Sequence, residues 1–376
     1  MAGAGLENWK KAVPRERQVS SGVETTARPE TGRGWASVAA WSLALTFVAA
    51  LATAAVLLPD VPDAAAEDIR FFRIGTGSTS GTYFPIGGII ATAISSPPGS
   101  RACEKGGSCG VPGLIAVAQS TSGSVDNVAA ISRGSLESGF SQADIAYWAY
   151  HGKGPYEKKG ALQNLRAITN LYPEAVHIVV RRDARISSPS DLKGLRVSLD
   201  REGSGTKVDA ELILRAYGLS TKDIKAVHVP AGSAIDKLRA GELDAFFFVA
   251  GSPAKAVSAI AEESLITLLP IKGKEAEALR EKYPFFGRHT IPAGSYFNVP
   301  ATETLSVGAQ WLVGAEVDEE LVYEITRALW HENTAELLSR GHPTGQLITP
   351  ETALEGIGIP LHPGAARFYD ELSASQ

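Results

Sequence analysis

The chain has 376 residues, 44% hydrophobic and 20% charged, with a formal net charge of -5. These values suit a globular protein of one or two domains, and without a basic stripe there is no source for the counterion release that dominates nucleic-acid affinity, so no nucleic-acid partner is expected. Glycine occurs 38 times, methionine once and cysteine twice, a balance that favours many tight loops over thiol chemistry.

Residues 1–34 form a polar leader with six Lys or Arg against four Glu, and residues 36–58 then run without a charge. Such a run is long enough to cross a bilayer. Asp60, Asp63, Glu67 and Asp68 follow it, so positive charge precedes the apolar run and negative charge succeeds it, as the positive-inside rule requires for an outward-facing remainder. Export to the periplasm is therefore expected. Residues 35–58 read either as a signal-peptide core, with Ala64, Ala65 and Ala66 offering small residues for cleavage, or as an anchor that retains the chain at the inner membrane through residues 36–58. Beyond Glu67 no comparable apolar run recurs, and the remainder reads as one soluble, monomeric body.

Residues 70–74 are β-like and break into a turn rich in Gly, Ser and Thr at 75–85, after which 86–95 reads as a helix. The same order of strand, turn and helix recurs at 113–119, 120–124 and 125–132. Between them lie Cys103 and Cys109, spaced for a small-loop disulfide in an oxidising compartment and too few for a structural zinc site. The turn Gln142-Ala143-Asp144 leads into an aromatic helix at 145–150, whose Tyr147, Trp148 and Tyr150 read as core. Segments 165–171 and 177–180 are β-rich. Strand 195–199 ends in Gly203-Ser204-Gly205-Thr206 and a helix at 208–216, and 233–239, 245–249 and the start after Pro253 give helix, strand and helix. Residues 318–339 read as one long amphipathic helix.

This alternation predicts an α/β protein with sheets flanked by helices on both faces. The expected architecture has two lobes: residues 69–174 begin lobe 1, 175–295 make lobe 2, and 296–376 return to lobe 1 and the C-terminal helices. Crossover hinge segments are expected near 172–177 and 290–299.

The repeated chemical feature is a Gly, Ser and Thr loop just before a helix. It exposes backbone N–H groups at the positive end of the helix dipole and so receives a carboxylate or other anion. The loops are 77–83, 120–124 and 203–206; Ser and Thr acting only as helix caps is the alternative for any one of them. Gly75 and Gly77 lack the third glycine of a dinucleotide fingerprint, position 80 being Ser80. Residues 106–110 match a nucleophile elbow only formally, since Pro97, Pro98 and charged residues stand where an apolar strand is needed. The seven histidines show no metal-ligand spacing, and no metal or other cofactor is expected. Tyr83 and Tyr296, each beside a glycine-rich turn, are ligand candidates because a phenol both packs and donates.

Taken together, residues 74–87, Ser120 to Ser124, the 142–144 turn, residues 203–206, 238–246 and His362-Pro363-Gly364-Ala365 resemble the TAXI family, extracytoplasmic solute receptors of TRAP transporters. The resemblance spans about residues 69–369. It implies a type II periplasmic-binding-protein fold whose two lobes close on a small anionic solute, a carboxylate or an amino acid such as glutamate, and deliver it to the membrane subunits of a TRAP permease. By position it places Ser80, Thr82, Tyr83, Ser122, Gln142 and Ser204 to Thr206 at the cleft; Gly203 and Tyr296 complete the candidate set. No enzymatic step is expected. Two alternatives are a ligand-sensing subunit of a membrane signalling system and an extracytoplasmic hydrolase, the second of which would need a base beside one of the loop serines.

Overall fold

The computed structural model describes residues 69–374. The leader, the apolar run at 36–58 and the candidate cleavage site lie outside the described residues; among the described residues no helix is long and apolar enough to cross a membrane.

The chain opens with β1 (Arg70–Gly75), α1 (Tyr83–Ile94) and the two-residue β2 (Ser95–Ser96). An excursion follows, closed by the Cys103–Cys109 disulfide, and returns through β3 (Val111–Pro112), which pairs with β2. Next come β4 (Leu114–Gln119), α2 (Ser124–Ser132), β5 (Ser138–Gln142) and α3 (Ala143–His151). The long strand β6 (Leu165–Arg181) leads to β7 (Arg196–Ser198), α4 (Gly205–Ala216), β8 (Lys225–Val227), α5 (Ala231–Arg239), β9 (Ala245–Ala250), α6 (Lys255–Glu262), β10 (Ile266–Leu268), α7 (Lys274–Lys282) and β11 (Gly287–Ile291). A second long strand, β12 (Thr302–Gly314), precedes α8 (Glu319–Leu329), α9 (Glu332–Gly341) and α10 (Pro363–Ala374).

Ten strands form one sheet in the order β4, β1, β5, β12, β6, β9, β7, β8, with β10 added on β6 and β11 on β12. Neighbours are parallel within β4, β1 and β5 and again within β9, β7 and β8; between the two groups β12 runs antiparallel to β5, β6 runs antiparallel to β9, and β12 and β6 are antiparallel to each other. The two long strands thus join a first half, around β1, to a second half, around β9. Residues 165–175 of β6 pair with β12, and residues 175–180 pair with β9. Within β12, residues 302–306 pair with β11 and 309–313 with β5.

Three differences from the sequence reading have physical causes. Segments 165–171 and 177–180 are one strand, because β12 continues to supply hydrogen-bond partners through 172–175. The chain's second passage between the halves runs along β12, beyond 290–299, since β11 still pairs with residues 302–306. The helix expected over 318–339 is two: His331 leaves the helical backbone and its Nδ1 accepts the Asn333 N–H, capping α9.

The core is organised by the same division. Phe72, Phe140 and Trp311 meet edge to face behind β1, β5 and β12, and Tyr83 packs edge to face on Phe140. Around β9, Phe246, Phe248, Ile235, Val257 and Ile260 bury a separate cluster against α5 and α6. Trp148 on α3 packs against Tyr283 and Phe285, so the first half also touches the segment after α7.

Candidate functional site

In each half the turns that follow the parallel strands leave the same edge of the sheet, the carboxyl ends of the strands, where ligands of open α/β sheets collect. The turn after β1 leads into α1, that after β4 into α2, and that after β7 into α4. The start of α1 gives Tyr83 to the cavity, and its apolar face, Ile86, Ile90 and Ile94, is buried. At α4 the Ser204 side chain accepts the Lys207 N–H at 3.1 Å, so the cap holds the first turn open toward the cavity.

These turns enclose a cavity of about 50 Å³ between the halves. From the first half it is lined by Gly77, Thr82, Tyr83, Ser122, Ser124 and Gln142, and from the second by Asp200, Ser204, Gly205, Thr206, Phe248 and Val249, with Glu174 of β6 between them. The halves are in direct contact around it. Asp126 N–H donates to the Gly203 carbonyl at 3.0 Å, Arg201 Nη2 donates to the Thr121 carbonyl, and Gln142 Nε2 donates to Asp209 Oδ2 at 2.8 Å. Two glycines permit this approach. A Cβ at Gly205 would fall 1.4 Å from Gln142 Oε1, and one at Gly203, whose φ is +84°, would fall 2.4 Å from the Asp126 carboxylate.

The polar groups are of two kinds. Ser124 Oγ accepts the Gln142 N–H and Thr206 Oγ1 accepts the Val249 N–H, which leaves each hydroxyl its proton to donate and one lone pair. Three helix N-termini, those of α1, α2 and α4, supply positive dipole ends. Against these donors stand acids. Tyr83 O–H donates to Glu174 Oε2 at 2.7 Å, and burial pushes the Glu174 carboxyl up to about 8 despite that bond. Asp200, held at φ 69°, is pushed up to about 6 by burial, which the Arg201 N–H and guanidinium only partly offset. Among the described residues that line the cavity none is Lys or Arg. Below about pH 8 Glu174 is therefore a neutral acid able to donate, so the floor does not repel an anion.

Of the residues singled out from sequence, Thr82, Tyr83, Ser122, Gln142, Ser204, Gly205 and Thr206 are brought together here. Ser80 lies just outside, its hydroxyl paired with that of Ser78 and packed near Gly232. Gly203 faces a neighbouring groove instead. Tyr296 is elsewhere: it is buried in the cluster around β9, its O–H donates to His177 Nε2 at 2.8 Å, and its oxygen accepts the Ala254 N–H at 2.8 Å. Sequence reasoning missed Glu174, Asp200 and Phe248. Glu174, inside a run of apolar β residues, carried the one available signal, a lone acid where a core strand should have none.

The sheet order, the two long connecting strands and the cavity at the strand ends define a periplasmic-binding-protein fold. MatC (Rpa3494) from Rhodopseudomonas palustris, solved with bound malate, matches with a TM-score of 0.50 and 13% identity over 81% of this chain and 97% of that one. The alkanesulfonate-binding protein SsuA from Xanthomonas axonopodis pv. citri, bound to MOPS, is 17% identical over 81% and 85% of the two chains with a TM-score of 0.45. The periplasmic aliphatic sulphonate binding protein SsuA from Escherichia coli is 16% identical over 80% and 78%, at 0.40. Residues 74–372 match the NMT1-like family, and the chain belongs to that family.

Proposed function

We propose that this protein is an extracytoplasmic solute receptor that closes its two halves on a small carboxylate or amino acid and hands it to a membrane permease. The observation that carries this reading is the meeting of three helix N-termini, two from one half and one from the other, at a single cavity. Such termini bind a carboxylate without a cationic side chain. An amino group on the same solute would find Asp200 at the cavity wall, which makes an amino acid such as glutamate a natural candidate. Lobes of residues 69–174 and 175–295, with 296–376 returning to the first, would move about β6 and β12, and the closed shape is what the permease reads. A TRAP-type, ion-driven permease is the finer reading, supported by the turn motifs at 74–87 and 203–206.

The test is a thermal shift of protein stripped of co-purified solute, against dicarboxylates, 2-oxo acids, amino acids, sulfonates and phosphonates. One carboxylate is expected to raise the melting temperature, and Ser204→Ala with Thr206→Val is expected to abolish the rise. A panel without any response would remove the reading. Uptake driven by a sodium or proton gradient, rather than by ATP, checks the permease class.

A further inference from the structure

Asp144 and Asp209 are both fully buried. Asp144 stands in the first turn of α3, in the first half, and Asp209 on α4, in the second. Both oxygens of Asp144 and Oδ1 of Asp209 are buried without a hydrogen-bond donor, and the two carboxyls lie close enough to act on one another. Two carboxylates offer only acceptors, so a hydrogen bond between them needs a proton on one of them. We propose that closing the halves creates a proton-binding site, in which Asp144 and Asp209 share one proton that neither carries when the halves are apart at neutral pH.

The surroundings leave no other way to neutralise the pair. Gln142 Nε2 donates to Asp209 Oδ2, while Gln142 Oε1, on a residue 2% exposed, has no donor and rests on Gly205, and Asp209 Oδ1 has none either. From β6 the pair faces Glu174, itself held by Tyr83 of α1 and beside Tyr172. The turn after α3 contributes Tyr156, and α2 contributes Asp126. The cations of α4, Lys207 and Arg215, pair with Glu211 of the same helix. α7, packed on α4, turns Ala276 and Leu279 inward, and the turn at 189–192 buries Pro189 and Leu192. Burial, and after it the adjoining Asp144 carboxylate, raise the Asp209 carboxyl well above the usual range.

The step is simple: one proton comes from solvent and one O–H···O bond forms. On this proposal opening exposes both carboxyls to solvent, where a carboxyl titrates near the ordinary value of about 4. Closure therefore takes up a proton at neutral pH, and the closed form is favoured in acid and lost as pH rises. The ratio of closed to open molecules should fall by up to about tenfold per pH unit until the closed-state value is passed.

This inference rests on the reading of the molecule as two halves that open, and it is tested without solute so that the two can fail separately. In the full chain, spin labels are placed at the exposed positions Arg133→Cys and Glu281→Cys; the native cysteines are held in their disulfide. Pulsed electron resonance then gives the closed fraction between about pH 5.5 and about pH 8.5. The expected result is a several-fold fall in the closed fraction across that range, flattened by Asp209→Asn and by Asp144→Asn. A flat profile in the parent, or the parent's slope in both variants, overturns the proposal. So does restoration of closure at the upper pH by calcium or sodium, which would make the site a metal site. Infrared difference spectroscopy checks the proton itself: a protonated-carboxyl band at neutral pH is expected in the parent and diminished in Asp209→Asn, and an unchanged band contradicts the assignment.

Discussion

Two buried polar clusters hang from the same strand, β6, on its opposite faces: His177 on one and Glu174 on the other. His177 is fully satisfied. Its Nδ1 lies 2.9 Å from the Ala175 carbonyl, its Nε2 bonds Tyr296, and burial pushes it down to about 4, so it is a neutral ring locked in place. Glu174, with Asp144 and Asp209 nearby, has the opposite balance. Three buried carboxyls share a tyrosine hydroxyl and a glutamine amide as side-chain donors. A cluster whose donors and acceptors cancel holds a fold together; one with acceptors in excess, placed where two halves meet, is poised for a proton or a ligand.

The comparison breaks if the clusters respond alike to substitution. The largest effect is expected from Tyr296→Phe, which leaves His177 Nε2 and the Ala254 N–H unpaired: a loss of about 2–4 kcal/mol in urea unfolding, with solute affinity unchanged. Next is the acid limb. Because the folded His177 titrates below its unfolded value, stability is present above about pH 6.5 and declines as pH falls toward 4, by about 2 kcal/mol at about pH 5. The smallest effect has the other sign. Asp209 is raised in the folded state, so its cost is felt at high pH; Asp209→Asn should gain about 1 kcal/mol over the parent near about pH 8 and nothing near about pH 4. Equal losses for Asp209→Asn and Tyr296→Phe at every pH would erase the distinction.

Much of the fold was legible because its signals are local. The turn at 75–82, the Ser204 cap and the apolar runs of β1, β4 and β9 announce themselves within a few residues. β5 did not: Ser138, Gly139 and Ser141 are poor strand formers, and the segment is a strand because it is buried between β1 and β12. The loops of the site were readable for the same local reason. Its acids were not, since Asp144, Asp209 and Asp200 are unremarkable in sequence; Asp144 and Asp209 acquire their character from burial and from each other across the halves, and Asp200 from burial. Tyr296 shows the converse: a tyrosine beside a glycine-rich turn reads as a ligand group, but the partner that claims it, His177, is remote in sequence.

The central claim is that one solute is held from both halves at once. Amide hydrogen exchange, with and without whichever carboxylate raises the melting temperature, tests it most directly. The account predicts that residues 77–83 of the first half and 203–206 of the second slow together on adding that solute. Protection confined to one of the two turns, or absent from both, would contradict it.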